Sequence, residues 1–175
     1  MQTLKSVLLL AVIPGLVLIN GCSKSKGEAI VDDANLTECE AGWQCRYLYY
    51  NNARYSNGTI TSGNDRLFVA ASTTSSPARI GEGLLIKAPS SGSSFTLTSE
   101  DIAGGEKVTS YFSCPTCDYT ATKPLGGSVK GMRVDEKRWL LEARVVLGLE
   151  SNNKPVDTLH IKQYFNLSTS AESLF

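Results

Sequence analysis

Arg138–Phe165 reads RWLLEARVVLGLESNNKPVDTLHIKQYF, and its pattern decides the fold. From Arg138 to Leu149, Trp139, Leu141, Ala143, Val145 and Leu147 fall on one face of an extended chain. Successive side chains of a strand point to opposite faces, so a period of two marks a strand with one buried face. Ser151-Asn152-Asn153-Lys154-Pro155 is turn chemistry. From Val156 the chain returns with Leu159, Ile161 and Phe165 inward and Thr158, His160 and Lys162 outward. A long β-hairpin is therefore expected here.

The same alternation recurs upstream. In Trp43–Tyr50 (WQCRYLYY), Trp43, Cys45, Tyr47 and Tyr49 share one face, and Gln44, Arg46, Leu48 and Tyr50 the other. Asn51-Asn52 and Asn57-Gly58 read as turns. Arg66–Ser72, Leu84–Ala88, Phe95–Thr98, Lys107–Phe112 and Gly126–Val134 are further strand candidates, separated by Gly, Pro and Ser-rich punctuation. One helical turn is expected at Ser99-Glu100-Asp101-Ile102, with Ser99 as cap and Gly104-Gly105 as stop. About seven to nine strands and no longer helix make this an all-β chain. An antiparallel β-sandwich, Ig-like or similar, is the simplest way to bury such faces. A small β-barrel is the alternative.

Lys plus Arg and Asp plus Glu both number 17, so the formal net charge is zero. No basic block is present, and nucleic-acid binding has no electrostatic basis.

The amino terminus is of a different character. Lys5 precedes an apolar run from Val7 to Ile19 that Pro14-Gly15 interrupts. A bilayer-spanning helix needs about 20 apolar residues; this run is shorter and fits a secretory leader. It ends in Ile19-Asn20-Gly21-Cys22. That tetrad resembles the lipobox of bacterial lipoproteins: an aliphatic residue, a tolerant position, a small residue, then cysteine. The resemblance covers residues 1–22 only. It implies removal of residues 1–21 as a signal peptide, diacylglyceryl attachment to the Cys22 thiol, and acylation of the new amino terminus. The partner so implied is a membrane, the place a bacterial cell envelope. Ser23 rather than Asp after the cysteine leans towards the outer membrane.

Residues 22–36 then read as a flexible polar tether, 37–168 as a single β domain, and 169–175 as a frayed tail.

Of five cysteines, lipidation of Cys22 would leave Cys39, Cys45, Cys114 and Cys117, an even set that reads as two disulfides in an exported chain. Cys39–Cys45 with Cys114–Cys117 close the shortest loops; a crossed arrangement is the rival. Cys114-Pro115-Thr116-Cys117 is also the spacing of a redox pair, but no helix pattern follows it. A metal site would need a second close pair.

Two further features bear on function. Trp43, Tyr47, Tyr49, Tyr50 and Tyr55 form an aromatic group that fits a sugar-stacking platform, with Tyr50 and Tyr55 expected to be exposed. The bland reading of the same rings is core and ordinary strand decoration. His160 is the lone histidine, and no Ser-His-Asp or multi-His arrangement assembles around it. The paired acids Asp32-Asp33, Glu100-Asp101 and Asp135-Glu136 all fall in turns or the tether. The expectation is a non-enzymatic, lipid-anchored binding or structural module without cofactor or metal, whose partner is an envelope protein or a glycan. The alternatives are a carbohydrate- or peptide-binding module on segment 43–55, and a thiol–disulfide protein using Cys114 and Cys117.

Overall fold

A computed structural model of the chain describes residues 31–56, 58–75, 80–115 and 121–169. The leader, Cys22, Cys117 and the last six residues lie outside them. Among the described residues are nine strands: β1 (Trp43–Ser56), β2 (Thr59–Ser62), β3 (Asp65–Thr74), β4 (Gly81–Pro89), β5 (Ser94–Leu97), β6 (Val108–Ser113), β7 (Thr122–Arg133), β8 (Arg138–Leu149) and β9 (Pro155–Leu167). The one helix among the described residues, α1 (Ser99–Ala103), lies between β5 and β6.

The strands form one sheet in the order β5-β7-β8-β9-β1-β3-β4-β6, with β2 paired to β1. The fold is all-β and sandwich-like, as the alternation requires. Two details differ from expectation. The sheet is not purely antiparallel, because β1 and β9 pair in parallel. The first and last strands of the domain meet in mid-sheet, so their relative direction is set by topology rather than by a hairpin. Nor does the sheet close into a barrel: β5 and β6 remain its two edges.

The sheet curls until its halves face each other across one core. Phe68 of β3 sits at the centre, fully buried. Its ring lies 5.7 Å from Tyr49, 5.4 Å from Phe95, 5.6 Å from Trp139 and 5.6 Å from Phe165. These rings come from both halves, so Phe68 is where the two layers are joined. Burying a side chain of this size contributes about 1.5–3 kcal/mol. The inward positions expected on β8, from Trp139 to Leu147, all lie in this core, with Leu159 and Ile161 of β9 packed against it.

The helix caps the seam between the sheet edges. It links β5 to β6 and inserts the fully buried Ile102 into the core. Its N-cap is Thr98, not Ser99. The Thr98 side chain accepts from the Asp101 N–H, and the Asp101 carboxylate accepts from the Thr98 N–H, a reciprocal box that Ser99 cannot form. Ser99 instead accepts from the Gly127 N–H and ties the helix to β7.

Asn51-Asn52 does not turn the chain. It forms a bulge inside β1, where the register to β3 shifts between Tyr50 and Ala53, and Asn52 takes φ +50°. Asparagine tolerates the left-handed region. β1 thus runs on and bends towards β2, a strand the sequence reading did not find.

Candidate functional site: a cleft where β1 and β9 part

The β1–β9 ladder is short. Only Leu48 with Asn166 and Tyr49 with Leu167 are paired. Beyond them, the groups of β9 that would bond to β1 are satisfied in other ways. The Tyr164 N–H donates to Oε1 of Gln163 at 2.8 Å. The Lys162 N–H donates to Oγ1 of Thr37 at 2.8 Å, and the Thr37 N–H donates back to the Lys162 carbonyl at 2.8 Å. The strands therefore diverge, and the segment before β1 lies against β9.

This segment corrects the tether. Of residues 22–36, those from Val31 on are described, and they are docked. Val31 is buried. Lys162 pairs with Asp32 at 2.7 Å, and the Tyr164 hydroxyl donates to Asp33 at 3.1 Å. The acids that read as solvated tether charges are partners for β9. The Cys39–Cys45 disulfide, with a Cα–Cα distance of 5.8 Å, then fastens the turn into β1.

Between these walls lies a cavity of about 300 Å³. Glu38, Glu40, Trp43 and Tyr47 form one side and Asp157 to Ile161 the other, over a floor that includes Ala70, Ser72 and Glu82. A second hollow of about 260 Å³ adjoins it, lined by Phe112, Thr122, Leu147 and Val156 among others. The two share Glu82, Asp157 and Leu159. Small residues make the depression: Ala70 and Ser72 stand on the inward face of β3 where Phe68 stands one step below.

Glu82 is the chemical centre. It projects inward from β4 opposite Ser72, whose hydroxyl lies 3.5 Å from Oε1. Burial pushes its carboxyl above the ordinary carboxylate range; the Ser72 hydroxyl opposes this, and the charges of Asp157 and Glu40 add to it. The hydroxyl of Tyr47 is likewise pushed up by burial, and its ring packs edge-on to Phe165 at 5.6 Å. His160 is exposed and reaches the rim of the same cleft.

The expected sugar platform is not assembled. Tyr50 is buried, only 5 % exposed, because it lies on the opposite face from Tyr47. There it packs with Ile60, Leu67 and Val69 in a second apolar cluster on the outside of the sheet, with Tyr55 half-buried at its margin. The bulge and β2 fold over the stretch that the sequence left open. Tyr55 lines a small hollow of about 130 Å³ on that outer side, whereas Trp43 and Tyr47, members of the same group on the other face, line the cleft. Glu82 was missed; its signal was a single acid between Gly81 and Gly83 at the head of an apolar strand.

Among the cysteines, Cys39–Cys45 is bonded as expected. Cys114 is disulfide-bonded too, to a cysteine outside the described residues. With Cys39 and Cys45 joined to each other, the crossed arrangement is excluded.

Among the described residues, no three His, Cys, Asp or Glu side chains are grouped to hold a metal ion, and no helix is long and apolar enough to cross a membrane. Comparison with protein-family models, curated proteins and solved structures finds no match.

Proposed function

We propose that this is a lipid-anchored bacterial envelope protein whose β domain binds a ligand in the cleft between β1 and β9. The anchor half of the reading is supported by Ile19-Asn20-Gly21-Cys22 at the end of a leader-like apolar run. Each buried acyl methylene contributes about 0.8 kcal/mol, so several chains on Cys22 would hold the domain on a membrane, most simply the outer membrane. The binding half rests on one observation. Where β1 and β9 part, Trp43, Tyr47, Leu159 and Glu82 meet in a concavity. A concave, partly apolar wall with a few convergent polar groups is the general form of a ligand site. The Cys114 bond is structural in this reading.

The test has two arms. Cys22→Ala should release the protein from the membrane fraction into the soluble fraction. A ligand screen by thermal shift should give hits that Trp43→Ala abolishes. A Cys22→Ala protein that stays with the membrane would contradict the anchor; hits indifferent to Trp43 would contradict the cleft.

A second, hydrolytic reading has one specific observation in its favour. A carboxyl held above its usual range beside a second carboxylate, Glu82 beside Asp157, is the pairing that separates acid from base in glycoside hydrolysis. Turnover of a chromogenic glycoside, lost in Glu82→Gln, would establish it.

A further inference from the structure

We infer that the cleft takes an organic ammonium ion: a protonated amine carried on an apolar carbon skeleton. The inference rests on the cleft being the binding site and names the chemistry of its occupant.

The first argument is charge. The chain carries 17 Lys and Arg against 17 Asp and Glu, yet among the described residues no lysine or arginine lines either hollow. The acids Glu38, Glu40, Glu82 and Asp157 do. An anion entering here meets only like charge, whereas a cation enters a field that draws it in. No ion pair among the described residues neutralises any of these four, although Asp157 accepts the Thr158 N–H at 2.6 Å.

The second argument is the wall. Trp43 and Tyr47 project from the inward face of β1 into the cleft, and Leu159, Phe112 and Val156 line the joined hollows. Aromatic faces attract ammonium groups, most strongly where water is partly excluded, and the aliphatic residues cover a carbon skeleton. A bare metal ion has no use for these rings, and among the described residues three ligands are not grouped to hold one.

The third argument is Glu82 itself. Its carboxylate stands where the two hollows meet, half-buried, held by a single long contact to Ser72. A carboxylate offers about four lone-pair sites, so most of its capacity faces the cavity. The Tyr47 hydroxyl, also half-buried, makes no hydrogen bond with the described residues and offers an acceptor from the β1 side. An ammonium with three donors can meet both. The skeleton would then lie along Leu159 towards Val156.

The experiment is isothermal titration of the full chain in detergent, with Trp43 emission as a second readout. The probes are 1,5-diaminopentane, lysine amide and glucosamine. The controls are 1,5-pentanediol, an uncharged analogue of the diamine, and glutarate. Amine binding is expected, with neither control binding, and the tightest of the three amines names the source. Charge-assisted hydrogen bonds are worth about 1.5–3 kcal/mol, so Glu82→Gln should weaken the amine by at least about tenfold. Asp157→Asn, remote from the Ser72 contact, should weaken it in the same direction and guards against a local folding defect in the first variant. Equal binding of pentanediol and diaminopentane would overturn the ammonium assignment while leaving the cleft as a site. Silence of every probe, amine and control alike, would overturn both.

Discussion

The guanidinium of Arg66 lies 4.2 Å above the ring of Trp139, inside the end of the curled sheet opposite the cleft. Arg66 is only 6 % exposed. No carboxylate among the described residues pairs with it. Its Nε donates to Oδ1 of Asn51 at 2.9 Å, and its two terminal nitrogens donate to the carbonyls of Pro89 and Ser90. Burial pulls its pKa down, but the fork still bonds the β1 bulge and the chain end of β4 at once. Arg66→Lys keeps the charge and loses the planar fork and the stacking. We expect it to lower stability by about 2–4 kcal/mol in denaturant unfolding, with a red shift of Trp139 emission in a Trp43→Phe background. An unchanged midpoint would show that the fork is dispensable.

Gly131 of β7 stands directly opposite Phe95 of β5, and the Phe95 ring occupies the place a Cβ at Gly131 would take. A ring laid over a cross-strand glycine covers the bare backbone and lets an edge strand bend onto the core. Gly131→Ala must push that ring away. Overpacking of this kind costs about 1–3 kcal/mol. Phe95→Ala combined with Gly131→Ala should cost less than the sum of the two single changes, because the clash disappears with the ring. Strict additivity would contradict the contact.

Much of this architecture was legible in advance. Arg138–Leu149 has the observed bounds of β8, and its five inward residues all reach the core, because one buried face writes itself into a period of two. What stayed hidden is tertiary. Asn51-Asn52 carries the chemistry of a turn, and only the continuing ladder to β3 and β2 makes it a bulge. Nothing local says that β9 lies beside β1, so nothing local says that they part above Leu48. The cleft follows from that divergence, so the local pattern points to Tyr50 and gives no weight to Glu82. Both faces of β1 carry tyrosines, Tyr47 and Tyr49 on one and Tyr50 on the other, and the sequence does not say which one the fold leaves open.

Glu82 has a stability signature that a merely structural acid lacks. Its folded pKa is raised by burial, so the folded state holds the proton more tightly than the unfolded state. Stability is highest while both states are protonated and falls as pH rises through the ordinary glutamate range towards the folded value. Glu82→Gln removes that penalty. Its melting temperature should exceed that of the parent at neutral pH and converge with it at acid pH. A variant destabilised at neutral pH would mean that the carboxylate is needed by the fold.

Asp101 shows the opposite sign. The Lys107 ammonium, then the Thr98 N–H and hydroxyl, lower its carboxyl from 3.8 to about 2. A depressed folded value gives stability that is present above the unfolded pKa and is lost as pH falls through the folded one. Asp101→Asn should melt below the parent at neutral pH, with the gap closing between about pH 4 and pH 2. Melting curves recorded across that range check it, and a gap that persists at the acid end would point to a cause other than charge.

The proposed function stands most directly on what happens at Cys22, since lipidation there would fix where the cleft works and what it meets. Intact-mass spectrometry of the protein extracted from the envelope measures it in one step. The account predicts a chain beginning at Cys22 that carries a diacylglyceryl group on sulfur and an acyl group on the amino terminus. A chain that retains residues 1–21, or one with a bare Cys22, would contradict it.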